Sequence, residues 1–206
     1  MSLTRIDLPV TEEKIRALAV GDEIALYGTI VTGRDGAHKL MHEAIAAEKA
    51  GDPSKMKALE WLRPLLVGGF IYHCGPVMKK ADGRWTVVAA GPTTSIREEP
   101  YQAEVIERFG LRGVIGKGGM GPKTAAACER FGAVYMHGVG GAAVALASAI
   151  HEVVTVHLYD GLGPPEAFWV LRVEDFRGVV TIDAHGRSLH AEVLERSKSA
   201  AAKYFG

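Results

Sequence analysis

Between residues 96 and 158 the sequence repeats one local pattern: a stretch with apolar residues three and four apart, then a short apolar run beside glycine or charge. Helical spacing covers 96–109, 122–131 and 141–150, and strand-like runs cover 112–115, 133–137 and 153–158. Alternation of this kind predicts an α/β fold with parallel strands joined by right-handed crossovers. In such sheets ligands meet the edge where strands give way to loops.

The rest of the chain fits around that unit. A short amphipathic segment (11–19) precedes a predicted strand at 23–31, and Asp35 is placed to cap a helix over 36–50. Residues 64–74 read as a strand, and Ala81-Asp82-Gly83-Arg84 is a turn signal between paired runs at 77–80 and 85–90. Two further strands are predicted at 168–173 and 179–182, followed by a solvated helix over 191–206. Without repeats or a composition shift, the expectation is one domain over 1–206, with its core at about 20–190.

Composition excludes several classes. Lys+Arg (24) equals Asp+Glu (24), and no basic stripe of the kind nucleic acid requires is present. No apolar run approaches the roughly 20 residues of a membrane span, and residues 1–7 lack a secretory pattern, so a cytoplasmic protein is expected. Cys74 and Cys128, in unrelated contexts, suit a reducing compartment and make no self-contained thiolate metal site. His38 and His42, with His73, are a weak metal pattern without a carboxylate or thiolate at fixed spacing, and no metal is assigned to this chain.

Two glycine-bearing segments carry the chemistry: Gly91-Pro92-Thr93-Thr94-Ser95-Ile96-Arg97 and Gly116-Lys117-Gly118-Gly119-Met120-Gly121. Each follows a strand pattern and precedes a helix, an arrangement that aims unpaired N–H groups at an anion. Arg34, Arg97 and Lys117 all fall at strand ends, and such a set suits a molecule with two carboxylates. Ser95 and Glu98 have capping-box spacing, which leaves Thr93 free to face a ligand as donor or base. Gly116-x-Gly118-x-x-Gly121 also matches a dinucleotide fingerprint, but the next strand ends at Met136-His137-Gly138 without the ribose-binding acid. A free-standing nucleotide- or phosphate-binding domain is the alternative on that motif. Gly138 to Gly141 reads as a third anion loop or as close helix packing.

Four motifs in order, Thr32-Gly33-Arg34-Asp35-Gly36-Ala37-His38, the two segments above, and Val139-Gly140-Gly141-Ala142-Ala143, resemble the β subunit of class I fumarate hydratases and L-tartrate dehydratases. The resemblance spans about Val20 to His190. It implies an iron–sulfur hydro-lyase acting on a small dicarboxylate, fumarate to malate first and tartrate to oxaloacetate as the alternative. The glycine-rich run after Met136 leans slightly toward the fumarase.

Residue by residue, the resemblance assigns Thr93 to moving the carbon-bound proton, Arg34, Arg97, Lys117 and Thr94 to substrate binding, and Asp35, His38, Gly118 and Gly119 to support. It implies a 4Fe-4S cluster held by three cysteines of an α subunit, a hetero-oligomer with self-association left open, and a partner carboxylate that activates Thr93. The fold it implies is a swivelling β/β/α domain with a mixed sheet, like the mobile domain of aconitase-type enzymes, closing over the partner's cluster. One departure is Arg97-Glu98-Glu99 where the family often has Arg-Met-Asp; Glu98 is read as a helix cap.

Overall fold

The computed structural model describes residues 3–205. In chain order its elements are β1 (Thr4–Asp7), α1 (Glu12–Arg16), β2 (Glu23–Thr32), α2 (Asp35–Lys49), α3 (Ser54–Lys57), α4 (Arg63–Leu66), β3 (Phe70–Tyr72), β4 (Val77–Ala81) and β5 (Arg84–Ala89). Then follow α5 (Glu99–Phe109), β6 (Gly113–Gly116), α6 (Pro122–Phe131), β7 (Val134–His137), α7 (Ala143–Ser148), β8 (Ile150–His157), α8 (Tyr159–Leu162), β9 (Phe168–Ile182) and α9 (Leu189–Phe205).

Seven strands form one mixed sheet in the order β1-β2-β3-β6-β7-β9-β8, and β4 pairs with β5 apart from it. The β2–β3, β3–β6 and β6–β7 pairs are parallel, as the alternating pattern requires. β9 runs antiparallel to β7 and also to β2, so β2, β3, β6, β7 and β9 close into a ring. Period-two alternation then sorts side chains into two cores. Ile30, Phe70, Tyr72, Ile115, Met136, Trp169 and Leu171 fill one, while Val31, Ile71, Val114, Tyr135 and Val170 face a second built with helices α2, α5 and α6. Burial of each such side chain contributes roughly 1.5–3 kcal/mol.

Four expectations are corrected. Residues 64–74 are not all strand: Pro64 sits in the first turn of α4, where its missing N–H is harmless, and only Phe70–Tyr72 pairs. β8 is antiparallel to β9 rather than parallel to its predecessors, because the short 158–167 connection returns it beside the next strand. The two predicted late strands are one, β9, whose register against β2 shifts between Leu26 and Gly28; Asp175 there adopts a left-handed φ of 56°. A β-bulge at this point interrupts the register of this 15-residue strand, whose other edge pairs with β8 and β7 in turn. Asp35 does not cap α2 but is its first residue, and Arg34 occupies the cap position without a side-chain bond.

Candidate functional site

Because β2, β3, β6 and β7 are parallel, their C-terminal ends share one edge, and Arg34, His73, Lys117 and His137 lie there. Arg34 Nε approaches Glu166 Oε1 at 3.4 Å and its Nη2 lies 3.9 Å from Asp35 Oδ2. Asp35 Oδ2 is in turn 3.1 Å from Arg97 Nη2, which donates to Thr93 Oγ1 at 2.8 Å. Glu166, Arg34, Asp35, Arg97 and Thr93 thus form a cluster of alternating charges in which Arg97–Thr93 is hydrogen-bonded and the Arg34 contacts are looser, its buried Nε having no hydrogen-bond partner.

Lys117 joins this group through the backbone. The Lys117 N–H donates to the Thr93 carbonyl at 3.3 Å and its carbonyl accepts from the Ser95 N–H at 3.0 Å, a short parallel bridge opposite Thr94. Among the described residues its ammonium has no ion pair, whereas Arg34 and Arg97 both do. A Cβ placed on Gly140 would lie 3.5 Å from Lys117 Cδ, an ordinary contact, so the 138–141 loop runs beside the lysine stem. The structure therefore brings together Arg34, Asp35, Thr93, Thr94, Arg97 and Lys117, with His38 directly beneath.

The helix-terminus reading of the second glycine segment does not survive, and the start of α2 is closed in the same way. At the start of α6 the Glu99 carboxylate accepts from the N–H groups of Gly121 (2.8 Å), Lys123 (2.9 Å) and Thr124 (3.3 Å), and from Thr124 Oγ1 (2.6 Å). At the start of α2 the Gly36 N–H donates to Glu166 Oε2 at 2.8 Å. Each helix end already holds a carboxylate of this chain, which satisfies its orphan donors and its positive dipole. The Thr93 N–H is likewise taken by the His73 carbonyl at 2.7 Å. The positive groups left at this edge are therefore side chains, Arg34, Arg97 and Lys117.

Gly116, Gly118 and Gly119 have other reasons to be glycine. A Cβ on Gly116 would meet Ser95 Oγ at 1.7 Å, and one on Gly119 would meet the His190 ring at 2.5 Å. Gly118 and Gly119 also hold left-handed φ values of 80° and 81°.

Beneath the site lies a buried polar layer. His38 Nε2 and His73 Nε2 both approach Gln102 Oε1 at 2.9 Å; His38 Nδ1 faces the Arg34 carbonyl at 3.0 Å, and His73 Nδ1 faces Ser95 Oγ at 2.8 Å. Tyr135 donates to Ser95 Oγ at 3.0 Å. Burial lowers the pKa of His38 and holds His73 well below the ordinary histidine range, so both rings are neutral.

The expected capping box is absent: Ser95 makes no cap bond and serves this layer instead, while Glu98 is fully buried with neither carboxyl oxygen hydrogen-bonded. Burial first, then the charge of Asp35, pushes Glu98 up to about 7. The capping acid is its neighbour Glu99. His42 lies apart from this layer, 2.8 Å from Glu104.

The iron–sulfur cluster implied above does not fit the thiols of this chain. Cys74 lies in one core and Cys128 in the other, and burial pushes both up to about 12. Among the described residues no three His, Cys, Asp or Glu side chains are grouped to hold a metal ion, and no helix is long and apolar enough to cross a membrane. One depression of about 400 Å³, lined by Glu48, Met56, Arg63 and Arg108, flanks the far end of α2, roughly 20 Å along the helix from Arg34. Among the candidate residues Thr94, Arg97 and Gly118 are exposed, Arg34, Asp35, Thr93 and Lys117 half-buried, and His38 and Gly119 buried.

Sequence reasoning missed Glu166, Gln102 and Tyr135, and gave His73 no role beyond a doubtful metal ligand. Glu166 meets Gly36 across 130 positions from a loop without a motif. Gln102 offered one usable signal, a polar residue on the apolar face of α5.

Fold and geometry define a mixed α/β protein with a cation-rich loop edge resting on a buried histidine layer. The chain belongs to the fumarase C-terminus family, whose pattern it matches over residues 2–193. It is 46% identical over 193 residues to a Geobacillus stearothermophilus protein named "Putative fumarate hydratase class I", covering 93% of this chain and 34% of that one. It is 39% identical over 188 residues to the L(+)-tartrate dehydratase subunit beta of Escherichia coli strain K12, covering 89% of this chain and 85% of that one. The chain thus spans about a third of the longer relative and most of the shorter.

Proposed function

We propose that this chain is the β subunit of an iron–sulfur-dependent hydro-lyase that reversibly adds water to a small dicarboxylate, with fumarate and malate as the pair. The observation that carries the reading is the single carboxylate of Asp35 linking Arg34 and Arg97, with Thr93 on the same guanidinium. Two arginines and a lysine at one strand edge supply two carboxylate grips. The buried thiols favour a cluster carried by another polypeptide, an α subunit, so the complete site is shared between chains.

Within that reading each residue has a physical task. Arg34 lies 3.4 Å from Glu166 and 3.9 Å from Asp35, and its buried Nε has no hydrogen-bond partner, so the guanidinium retains donors for a substrate carboxylate. Lys117, without an ion pair, offers a compact charge to the other end of the substrate. Thr93 accepts from Arg97, so its own proton points elsewhere; a carboxylate of the α subunit would take that proton, and the alkoxide left behind sits against a cation. That contact lowers the cost of using a hydroxyl as the base toward a carbon-bound proton. As charge builds on the substrate carboxylate, the three cations stabilise it in place.

A second reading, the β subunit of a tartrate dehydratase, is favoured by the 39% identity to the Escherichia coli subunit of that name over 188 residues. The higher identity to the fumarate hydratase favours the first. Anaerobic reconstitution with the α subunit, followed by assay of fumarate hydration and tartrate dehydration side by side, decides between them. Inactivity toward every small dicarboxylate with an intact cluster would overturn both.

A further inference from the structure

We propose that Gln102 and His73 are positioning residues that fix the spacing between Thr93 and Arg34, acting through one hydrogen-bonded bridge beneath the site. The proposal rests on the hydro-lyase reading of that site. His73 holds the Thr93 segment twice, its carbonyl accepting from the Thr93 N–H at 2.7 Å and its ring meeting Ser95 Oγ at 2.8 Å. His38 meets the carbonyl of Arg34 at 3.0 Å. Gln102 joins the two rings with one terminal atom, 2.9 Å from each Nε2. The two loops that carry the candidate base and a carboxylate grip are therefore coupled through the side chain of a third element, α5.

Proton counting fixes the state of the bridge. A neutral imidazole has one N–H. His38 Nδ1 faces a carbonyl, which only accepts, so the proton is on Nδ1 and Nε2 is an acceptor. His73 takes the same tautomer, with Nδ1–H donating to Ser95 Oγ. Two acceptors facing one amide require its NH2 group, so the Gln102 amide is turned with Nε2 toward both rings, one N–H to each. In the opposite orientation Nε2 has no partner at all, which is the costlier arrangement for a buried donor. The Nδ1–H tautomer at both rings is the signature of this bridge, and a glutamine is the only ordinary side chain of its size that donates twice from one atom while remaining neutral.

A buried cluster that merely satisfies itself contributes stability and nothing else. The bridge differs in that its two ends are the loops of Arg34 and Thr93, so its loss displaces one relative to the other. A displacement of 1 Å at reacting groups lowers turnover by about a hundredfold.

Two measurements on the full-length chain and its complex test this. Nitrogen-15 NMR of histidine-labelled chain is expected to show Nδ1–H and bare Nε2 for both buried rings. An Nε2–H tautomer at either overturns the assignment. Gln102→Met, similar in length but unable to donate, is expected to shift the backbone amide signals of both Thr93 and Arg34. In the complex it lowers kcat by tenfold or more, with KM within threefold. Gln102→Glu keeps the volume but presents acceptors, and is expected to convert the rings to Nε2–H or to imidazolium and to lower kcat similarly. A folded Gln102→Met chain in which either loop's signals stay fixed, or a folded complex of either variant with wild-type kcat, overturns the proposal. Inactivity of the wild-type complex would instead strike the hydro-lyase reading, leaving the NMR tests of the bridge standing.

Discussion

The Arg97 guanidinium donates to the Thr93 hydroxyl at 2.8 Å across one turn of chain, and the same Nη2 sits 3.1 Å from Asp35. A hydroxyl held this way is short of one lone pair and close to a fixed cation. Both effects favour its deprotonated form.

Removing either member of that pair should therefore reduce turnover far more than folding. In the reconstituted complex, Thr93→Ala and Arg97→Ala are each expected to lower kcat by about a hundredfold or more, the scale of one lost transition-state contact. Thr93→Ser, which keeps the hydroxyl, should retain most activity. Near-wild-type turnover of Thr93→Ala would remove the hydroxyl from the chemistry and leave the chain a non-catalytic subunit.

Glu99 gives a test of what the second glycine segment is for. Its carboxylate accepts three backbone N–H groups and the Thr124 hydroxyl at the start of α6. Glu99→Ala leaves those donors unpaired and should destabilise the chain by about 2–3 kcal/mol, a Tm loss of roughly 5–10 °C at this size. Calorimetry should find a weak phosphate site in the variant, at the opened helix end, beyond whatever the wild type binds. Micromolar nucleotide binding by the wild type, unaffected by Lys117→Ala, would restore the dinucleotide alternative.

The sequence made the strands and helices legible because period and punctuation agree: the 122–131 pattern is α6 to the residue, and Gly132 follows it. It did not reveal the ring, since β9 reaches β2 across more than 130 positions and no local pattern reports a pairing that distant. Arg34, Thr93, Arg97 and Lys117 were readable as strand-end cations and a hydroxyl. What lies under them was not. Ser95 and Glu98 have capping-box spacing, yet Ser95 is drawn to His73 and Tyr135, a tertiary contact that no local rule reports. Acids that occupy helix ends from elsewhere, Glu99 and Glu166, are equally invisible to spacing.

Gly118 and Gly119 share one backbone conformation but different surroundings, so alanine separates strain from contact. At Gly118 (φ 80°) the nearest atom to an added Cβ is Thr94 Cγ2 at 3.9 Å, and Gly118→Ala should lose only the left-handed strain, about 1 kcal/mol. At Gly119 (φ 81°) the Cβ lands 2.5 Å from the His190 ring, whose Nε2 lies 3.0 Å from Thr181 Oγ1. Gly119→Ala should lose about 2–4 kcal/mol. Denaturation midpoints that are equal for the two variants would show that His190 does not pack as described.

Glu98 should give the chain a recognisable dependence of stability on pH. Burial raises its carboxyl from an ordinary 4.5 to about 7. An acid whose pKa is higher folded than unfolded stabilises the native state fully below 4.5, and that contribution fades as pH rises to about 7, because the unfolded chain ionises first. Glu98→Gln abolishes the change. Relative to wild type the variant should gain about 2–3 kcal/mol between pH 4.5 and pH 8, nearly all of it below pH 7.5. His38 and His73, depressed by burial, lose stability in the opposite direction as pH falls below about 6.5, but they are common to both proteins and cancel in the difference. Urea midpoints at pH 5 and pH 8 measure it, and a difference between variant and wild type that is the same at both values would mean Glu98 is ionised in the fold throughout.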